Sequence, residues 1–524
     1  MWMNPVTKQQ DTINDSLQKI AEGSSITFTG LILSLLPLLI IRLIIVRKWT
    51  ENDYGVFSLA FSILTICWTI STLGLQQGLI RNIAYARGRD DYEKIPVYIS
   101  ASIWFSFITS AIIGLLLFLF SENISKNIFH DSALVTPLQI LAFIIPFTTL
   151  INVIVVIYRG FDQVKPTVYF QQILINTLFP AFLIIMIIFD QSFINVFYAL
   201  AISTVITFVL LVYYSIKKIQ TLEIFSIKSL KSPFSKELIL FSFPLFITSI
   251  FVIIIGWADT ILLGILRNTT DVGLYNAALP LAQIVSFPLI ALLLIYLPIF
   301  SGLFAKNKSE EIKRSYSILT KWLCYITLPF FFLLFLYPEP IITLLFGPSY
   351  TSASFALRIL SIGYIVNNLT GPCGMTLIVM GKSRFEMFSW IFAAIISVGL
   401  NVTLIPIYGI DGAAFATGVS IIIANIVKSL KLYLISGVQP LSKNLLKPTL
   451  FFVIIIIPIY LILKFYLTID WWMIPFIFIL FYVIYLLTIL TTKSLDEEDL
   501  NMIQLFEKKA KIKLNIIKWV LSKV

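Results

Sequence analysis

Apolar runs of about 20 residues, the length that crosses the bilayer's hydrocarbon core, recur along the whole chain. They lie near 26–46, 55–79, 95–120, 134–158, 167–189 and 193–216. A second group lies near 237–258, 274–300, 315–337, 352–380, 385–405 and 411–436, and two more follow at 448–467 and 471–492. Inside hydrocarbon the backbone must satisfy its own hydrogen bonds, so each run is read as a helix. The pattern predicts an all-α polytopic membrane protein with about fourteen transmembrane helices. Residues 1–25 are polar and carry neither an apolar core nor a small-residue cleavage site. The first span is therefore expected to be retained behind a short cytoplasmic segment.

Composition strengthens this picture. The chain is 58% hydrophobic and 12% charged, against roughly 25% charged in soluble proteins. Only lipid can face so much apolar surface. A net charge of +11 raises the question of nucleic acid, and the distribution excludes it. The basic residues sit in short runs between spans, as membrane orientation requires. Alternate connections carry Arg81, Arg87, Arg89 and Lys94; Arg159 and Lys165; Lys217, Lys218, Lys228, Lys231 and Lys236; Lys306, Lys308, Lys313 and Arg314; Lys382 and Arg384; and Lys443 and Lys447. The opposite connections hold Arg47, Lys48, Lys126 and Arg267. Both termini are thus expected in the cytoplasm, which an even span count permits. In the tail, 493–524, Ser494 and Glu497 have capping-box spacing, and apolar residues alternate with lysines as in a helix lying on the inner leaflet. Cys67, Cys324 and Cys373 are scattered through apolar runs and form neither a disulfide framework nor a metal site.

The chain also repeats itself. Asp53, Gly55, Phe57 and Ala60 align with Asp271, Gly273, Tyr275 and Ala278, each set opening the second span of its group. The Asp is expected to cap the new helix and the Gly to turn the chain into it. The charged loops 87–94 and 306–313, and Arg159-Gly160 and Gly381-Lys382, match at similar offsets. Two six-helix halves, 26–236 and 237–447, are expected, followed by an extra helix pair at 448–492. Copies separated by six spans face the same way, which implies a pseudo-two-fold axis along the membrane normal. Halves so arranged suit alternating access.

Asp53-Tyr-Gly-Val-Phe-Ser58, Leu73-Gly-Leu-Gln-Gln-Gly78, Phe243-Pro244, Ala258-Asp259, Val272-Gly-Leu-Tyr-Asn-Ala-Ala278, Leu345-Phe-Gly-Pro-Ser-Tyr350 and Gly409-Ile-Asp-Gly-Ala-Ala414 follow in order. In this order and spacing the chain resembles the polysaccharide-transport (O-antigen-type) flippases over roughly residues 20–440. That superfamily also holds the multidrug and toxin extruders and the lipid II flippases. The resemblance implies a V-shaped bundle that carries a polyprenyl-(di)phosphate-linked oligosaccharide from the inner to the outer leaflet, for surface polysaccharide or glycoprotein assembly.

A diphosphate needs cations in a shielded cavity, and the planar fork of Arg suits it. Ionisable residues within spans are functional candidates by default. Arg42, Arg358 and Arg81 are the candidates for the diphosphate; their alternatives are snorkelling to the interface for Arg42, interface anchoring for Arg358 and a topology charge for Arg81. Arg42 and Asp259 are separated by nearly the repeat offset. They are expected to pair as a gate across the outer mouth, Asp259 being alternatively a plain cap. Lys321 is expected to snorkel, and Glu386 to pair with Lys382 or Arg384. For the sugar, the candidates are Gln76, Gln77, Asn152, Gln171, Gln172, Asn176, Asn276, Gln283, Asn367, Asn368 and Asn401, which alternatively glue helices together. Pro146, Pro180, Pro244, Pro280, Pro288 and Pro372 are expected to bend spans.

Enzyme chemistry is not expected. Gly381-Lys-Ser383 resembles the end of a phosphate-binding loop, but the required upstream glycine is Thr376. The one histidine, His130, lies in an outer loop, and no nucleophile or metal constellation accompanies it. No cofactor, catalytic residue or metal is expected. A membrane glycosyltransferase or polymerase would want a sizeable outer loop with paired carboxylates. A cation-coupled extruder would want a buried acid in the first half, and a lipid II flippase more cations in the first span. The expected partners are the lipid-linked oligosaccharide and membrane lipids. Na⁺ or H⁺ coupling stays open through Asp259, as does association with polysaccharide-assembly enzymes; nucleic acid is not expected.

Overall fold

The computed structural model describes residues 33, 37, 39–218, 227–305, 309–440, 442–466 and 469–496. The expected N-terminal segment, the first part of span 26–46, Lys306 and Lys308 of the second charged loop, and the tail from Glu497 on lie outside the described residues. By their contacts the residues form two compact units. Unit 1 runs to Asn276 and also takes Asn401–Ile410; unit 2 takes Ala277–Leu400 and the chain from Asp411.

Unit 1 begins with a helix over 39–48 (α1). Then come Glu51–Ser71 (α2), Leu75–Gly88 (α3), Lys94–Asn123 (α4), Val135–Gly160 (α5), Ile175–Phe189 (α6), Asn195–Lys218 (α7), Pro233–Leu266 (α8) and the start of Thr269–Ile284 (α9). At its centre stands α5, buried along most of its length and packed on α2, α3, α4 and α7. A helix apolar on every side can take that place because no side of it needs water. The contacts carry unit 1 past residue 236, where the sequence repeat divides the halves, because α8 packs on α2 and α3.

Unit 2 continues α9 through Phe287–Ala305 (α10), Ser309–Leu336 (α11), Pro338–Leu345 (α12), Ser354–Leu369 (α13) and Cys373–Val379 (α14). The remainder of Ser383–Ser436 (α15), Lys443–Tyr466 (α16) and Ile474–Thr491 (α17) complete it. Here α13 and α15 cross at glycines: a Cβ on Gly363 would lie 2.8 Å from Gly418 Cα. The extra pair is tied on by polar bonds. Tyr482 Oη donates to Ile326 O at 2.6 Å and Tyr325 Oη to Asn444 O at 2.8 Å.

Among the described residues, ten helices are long and apolar enough to cross a bilayer, or eleven if one bent pair counts as a span. Of the remaining apolar runs, 26–46 lies mostly outside the described residues, and others are broken or joined end to end. Runs 385–405 and 411–436 are two helices within the range of α15, meeting at a kink where Gly409 leaves helical geometry at φ 57°. Run 352–380 is split between α13 and α14 by Gly371, at φ 64°, and Pro372. Run 274–300 bends by 53° between α9 and α10. Hydropathy measures the apolar length of a segment and is blind to a single left-handed residue that redirects it.

The repeat copies meet within unit 1. Thr50 caps α2, with Asp53 N donating to its Oγ1 at 3.2 Å and Thr50 N donating to Asp53 Oδ2 at 3.1 Å. At the corresponding place Asn268 Oδ1 accepts from Asp271 N at 2.8 Å. Asp53 is thus the third residue of a capping box whose cap is Thr50. Gly55 does not turn the chain, contrary to expectation. It lies inside α2, where a Cβ would fall 1.7 Å from Thr269 O, and a Cβ on Gly273 would fall 2.0 Å from Glu51 O. The glycines let the two backbones touch. Thr269 Oγ1 hydrogen-bonds Asn52 Oδ1 beside this crossing, and Tyr54 Oη donates to Asn276 O at 3.1 Å.

Candidate functional site

Unit 1 encloses two adjoining cavities. The first, of about 180 Å³, is walled by α1, α2, α5, α6 and α7. It is largely apolar, with the rings of Phe57, Phe61, Trp68 and Phe179 among its lining. Arg42 reaches it from α1, half-buried, and its Nη1 is fully buried with no hydrogen-bond partner among the described residues. No carboxylate lines this cavity among the described residues. Across from the cation is an amide ladder. Gln171 Nε2 donates to Asn152 Oδ1 at 2.5 Å, and Asn152 Nδ2 donates to Thr148 O at 2.8 Å. Gln171 belongs to a π-helical stretch, Thr167–Leu174, just before α6. Such stretches recur at functional sites because the extra residue per turn displaces side chains from the regular face.

The second cavity, of about 190 Å³, is polar. It lies where α2 gives way to α3. Leu73 at φ 49° and Gly74 at φ 69° break the helix. Gly74 is required twice over, since a Cβ there would also fall 2.6 Å from Ser242 O and Phe246 N of α8. Interrupted backbone is tolerated at membrane depth where it lines a cavity. Gln76 and Gln77, in the first turn of α3, line it with Thr72 and Ser249. Trp68 and Asn152 border both cavities.

Six of the sequence candidates, Arg42, Gln76, Gln77, Asn152, Gln171 and Asn176, therefore come together. The others stand elsewhere. Gln172 gives its backbone carbonyl to Asn176 Nδ2 at 2.8 Å, and its Oε1 is buried without a partner among the described residues. Asn276 bonds Thr260 Oγ1 at 3.1 Å and Val272 O at 3.0 Å, which makes it an inter-helix tie. Arg81 is exposed, with its guanidinium 4.1 Å from the centre of the Phe241 ring. Arg358, in unit 2, donates to Phe335 O at 3.1 Å and stands 3.6 Å from Glu339. Gln283 is exposed. Asn367 donates to Ser286 Oγ at 3.3 Å and Asn368 to Val285 O at 2.6 Å, both in unit 2.

Three charged side chains have partners other than those expected. Asp259, which is 4% exposed, accepts from Tyr275 Oη at 2.8 Å and from Asn401 Nδ2 at 2.5 Å. The carboxylate expected to face Arg42 is thus held by a Tyr and an Asn, because α9 and the 401–410 stretch pack on α8. Glu386 lies 3.5 Å from Lys428 and accepts from Trp390 Nε1 at 2.9 Å, so its cation comes from another part of α15. Lys321, only 1% exposed, pairs with Asp496 at 2.5 Å. A buried ammonium needs a counter-charge, and the chain after α17 supplies one. Trp68, Phe57 and Phe61 escape the sequence reading. A Trp in mid-span, away from the interfaces where Trp concentrates, is the signal that marks Trp68.

Both cavities sit in a fold found among solved transporters. The lipid II flippase MurJ, in an inward closed conformation, superposes with a TM-score of 0.67 at 14% identity, over 89% of this chain and 98% of that one. A multidrug resistance MATE family transporter of the MOP superfamily, inward-facing, gives 0.64 at 16% identity, over 77% and 94%. These likenesses define the class, an all-helical multi-pass membrane protein with the MATE/MurJ-like fold. The model for the family described as "polysaccharide biosynthesis protein" matches residues 20–304, and the chain belongs to that family. The MatE model matches residues 244–403. Among curated relatives, the "probable low-salt glycan biosynthesis flippase Agl15" of Haloferax volcanii is 27% identical over 165 residues. That match spans 32% of this chain and about a third of the relative, 35%.

Proposed function

We propose that the protein is a flippase that carries a polyprenyl-(di)phosphate-linked oligosaccharide from the cytoplasmic to the outer leaflet by alternating access. The observation that carries this reading is the buried Nη1 of Arg42, which has no hydrogen-bond partner among the described residues, in an apolar cavity that no described carboxylate lines. The guanidinium is otherwise met by the Tyr54 hydroxyl, and a desolvated cation with no counter-ion among the described residues is costly unless an anion arrives to meet it. A phosphate group answers that need through charge-assisted hydrogen bonds, and the adjoining amides suit sugar hydroxyls. A cationic drug would meet repulsion at the same place. Membership of a polysaccharide biosynthesis family and the flippase relative support the same substrate class.

The protein works in the cell membrane with both termini in the cytoplasm, as the alternation of basic connections requires. It acts as a transporter rather than an enzyme. Its partners are the lipid-linked glycan and membrane lipids, with the enzymes of polysaccharide assembly upstream and downstream.

Reconstitution into vesicles tests the substrate class. A fluorescent lipid-linked oligosaccharide should become accessible in the opposite leaflet in a protein-dependent way, while a cationic dye stays put. Movement of the dye without the glycolipid would overturn the proposal in favour of an extruder.

A further inference from the structure

Trp68 and Asn152 border both cavities, so the two compartments share a wall. Their chemistry differs. The first offers Arg42 among aromatic rings; the second offers the amides of Gln76 and Gln77, Thr72 and an interrupted stretch of helix. We infer that Trp68, Gln76, Gln77 and Asn152 form a subsite that reads the sugar attached directly to the phosphate, while Arg42 holds the phosphate itself. The inference rests on the proposed substrate class and adds where selectivity among glycans resides.

The physical reasons are these. A pyranose has an apolar C–H face and a rim of hydroxyls. An indole at a compartment boundary provides a flat apolar surface for the first, and amides provide both donors and acceptors for the second. Gln76 and Gln77 are adjacent in the first turn of α3, so both reach one cavity only because the helix starts there. Asn152 is 8% exposed and fixed by Gln171 and Thr148, which gives the subsite one rigid amide beside two freer ones. A site with such polar groups discriminates by leaving them unpaired when a hydroxyl is missing or misplaced.

The test uses the full chain in nanodiscs and short-chain prenyl diphosphates, bare or carrying one of a panel of hexoses and N-acetylhexosamines. For wild type, at least one glycosylated ligand should bind about tenfold more tightly than the bare one, the worth of one or two net hydrogen bonds. Replacing both glutamines (Gln76→Ala with Gln77→Ala), or Trp68→Leu, should bring that ratio close to one, with Trp68→Phe keeping part of it. An unchanged ratio in these variants overturns the subsite. So does a wild type that binds the bare ligand and gains nothing from any sugar, which leaves the flippase reading standing. Failure of wild type to bind any prenyl diphosphate removes both. A second measurement does not rely on those variants folding. In Gln77→Cys, thiol labelling should be blocked by the preferred glycosylated ligand and not by the bare one; equal blocking, or none, overturns the inference.

Discussion

Arg42 and Arg358 look alike in the sequence: each is a lone guanidinium in an apolar run. Their surroundings separate them. Arg42 has a buried nitrogen with no partner among the described residues, whereas Arg358 is engaged by Phe335 O and Glu339. A partly exposed pair such as Arg358–Glu339 contributes about 0–1 kcal/mol. Arg358→Ala is therefore expected to keep translocation within about threefold of wild type in reconstituted vesicles; a loss comparable to that of an Arg42 variant would restore Arg358 as a phosphate ligand. Asp259 differs again, because its oxygens satisfy Tyr275 and Asn401. Asp259→Leu removes the acceptor of both hydrogen bonds, each worth about 0.5–1.5 kcal/mol net, and should lower the unfolding temperature. Asp259→Asn can still accept from Tyr275 and should retain most of the stability. Equal losses in the two variants would show that the charge matters, which returns Asp259 to the list of coupling residues. Arg42 was legible because one cation in a long apolar run stands out. Trp68 was harder to single out, since 15% of the chain is aromatic and its mid-span position is the one sequence signal that marks it.

At the scale of elements, the sequence marked the repeat but misjudged what its glycine does. A glycine near a helix start is read as a turn, and Thr50 had already taken the capping role. What Gly55 provides instead is contact between α2 and α9, which no local pattern reveals. Gly55→Ala should destabilise the protein by about 1–3 kcal/mol or more, measured by thermal unfolding in detergent. Gly256→Ala, with open space around its position in α8, should be neutral or slightly stabilising. Similar melting of the two variants would contradict a close crossing. In unit 2, Asp496→Ala would remove the carboxylate that Lys321 meets at 2.5 Å. Losing the counter-charge of a buried ammonium is destabilising, so limited proteolysis should cut the connection around residues 493–496 faster. Unchanged cleavage would mean that the pair does not hold the end of α17.

For the whole molecule, hydropathy and charge alternation were enough to read a polytopic helical protein, because every apolar run has the same physical cause. They could not place every break inside a run. Gly371 splits run 352–380 without altering its hydropathy, whereas the kink at Gly409 falls between two runs that the sequence already separates. The cavities were beyond the sequence for a related reason. Arg42, Trp68, Gln76, Asn152 and Gln171 come from α1, α2, α3, α5 and the π-helical stretch before α6, and only packing brings them together. The central claim is that this assembly holds a phosphate-linked glycan through Arg42. Its most direct test is glycolipid translocation by wild type and Arg42→Gln, side by side in vesicles at matched protein density. Loss of a charge-assisted hydrogen bond worth about 1.5–3 kcal/mol should slow the variant by at least about tenfold, with Arg42→Lys between the two. Equal rates for wild type and Arg42→Gln would contradict the account.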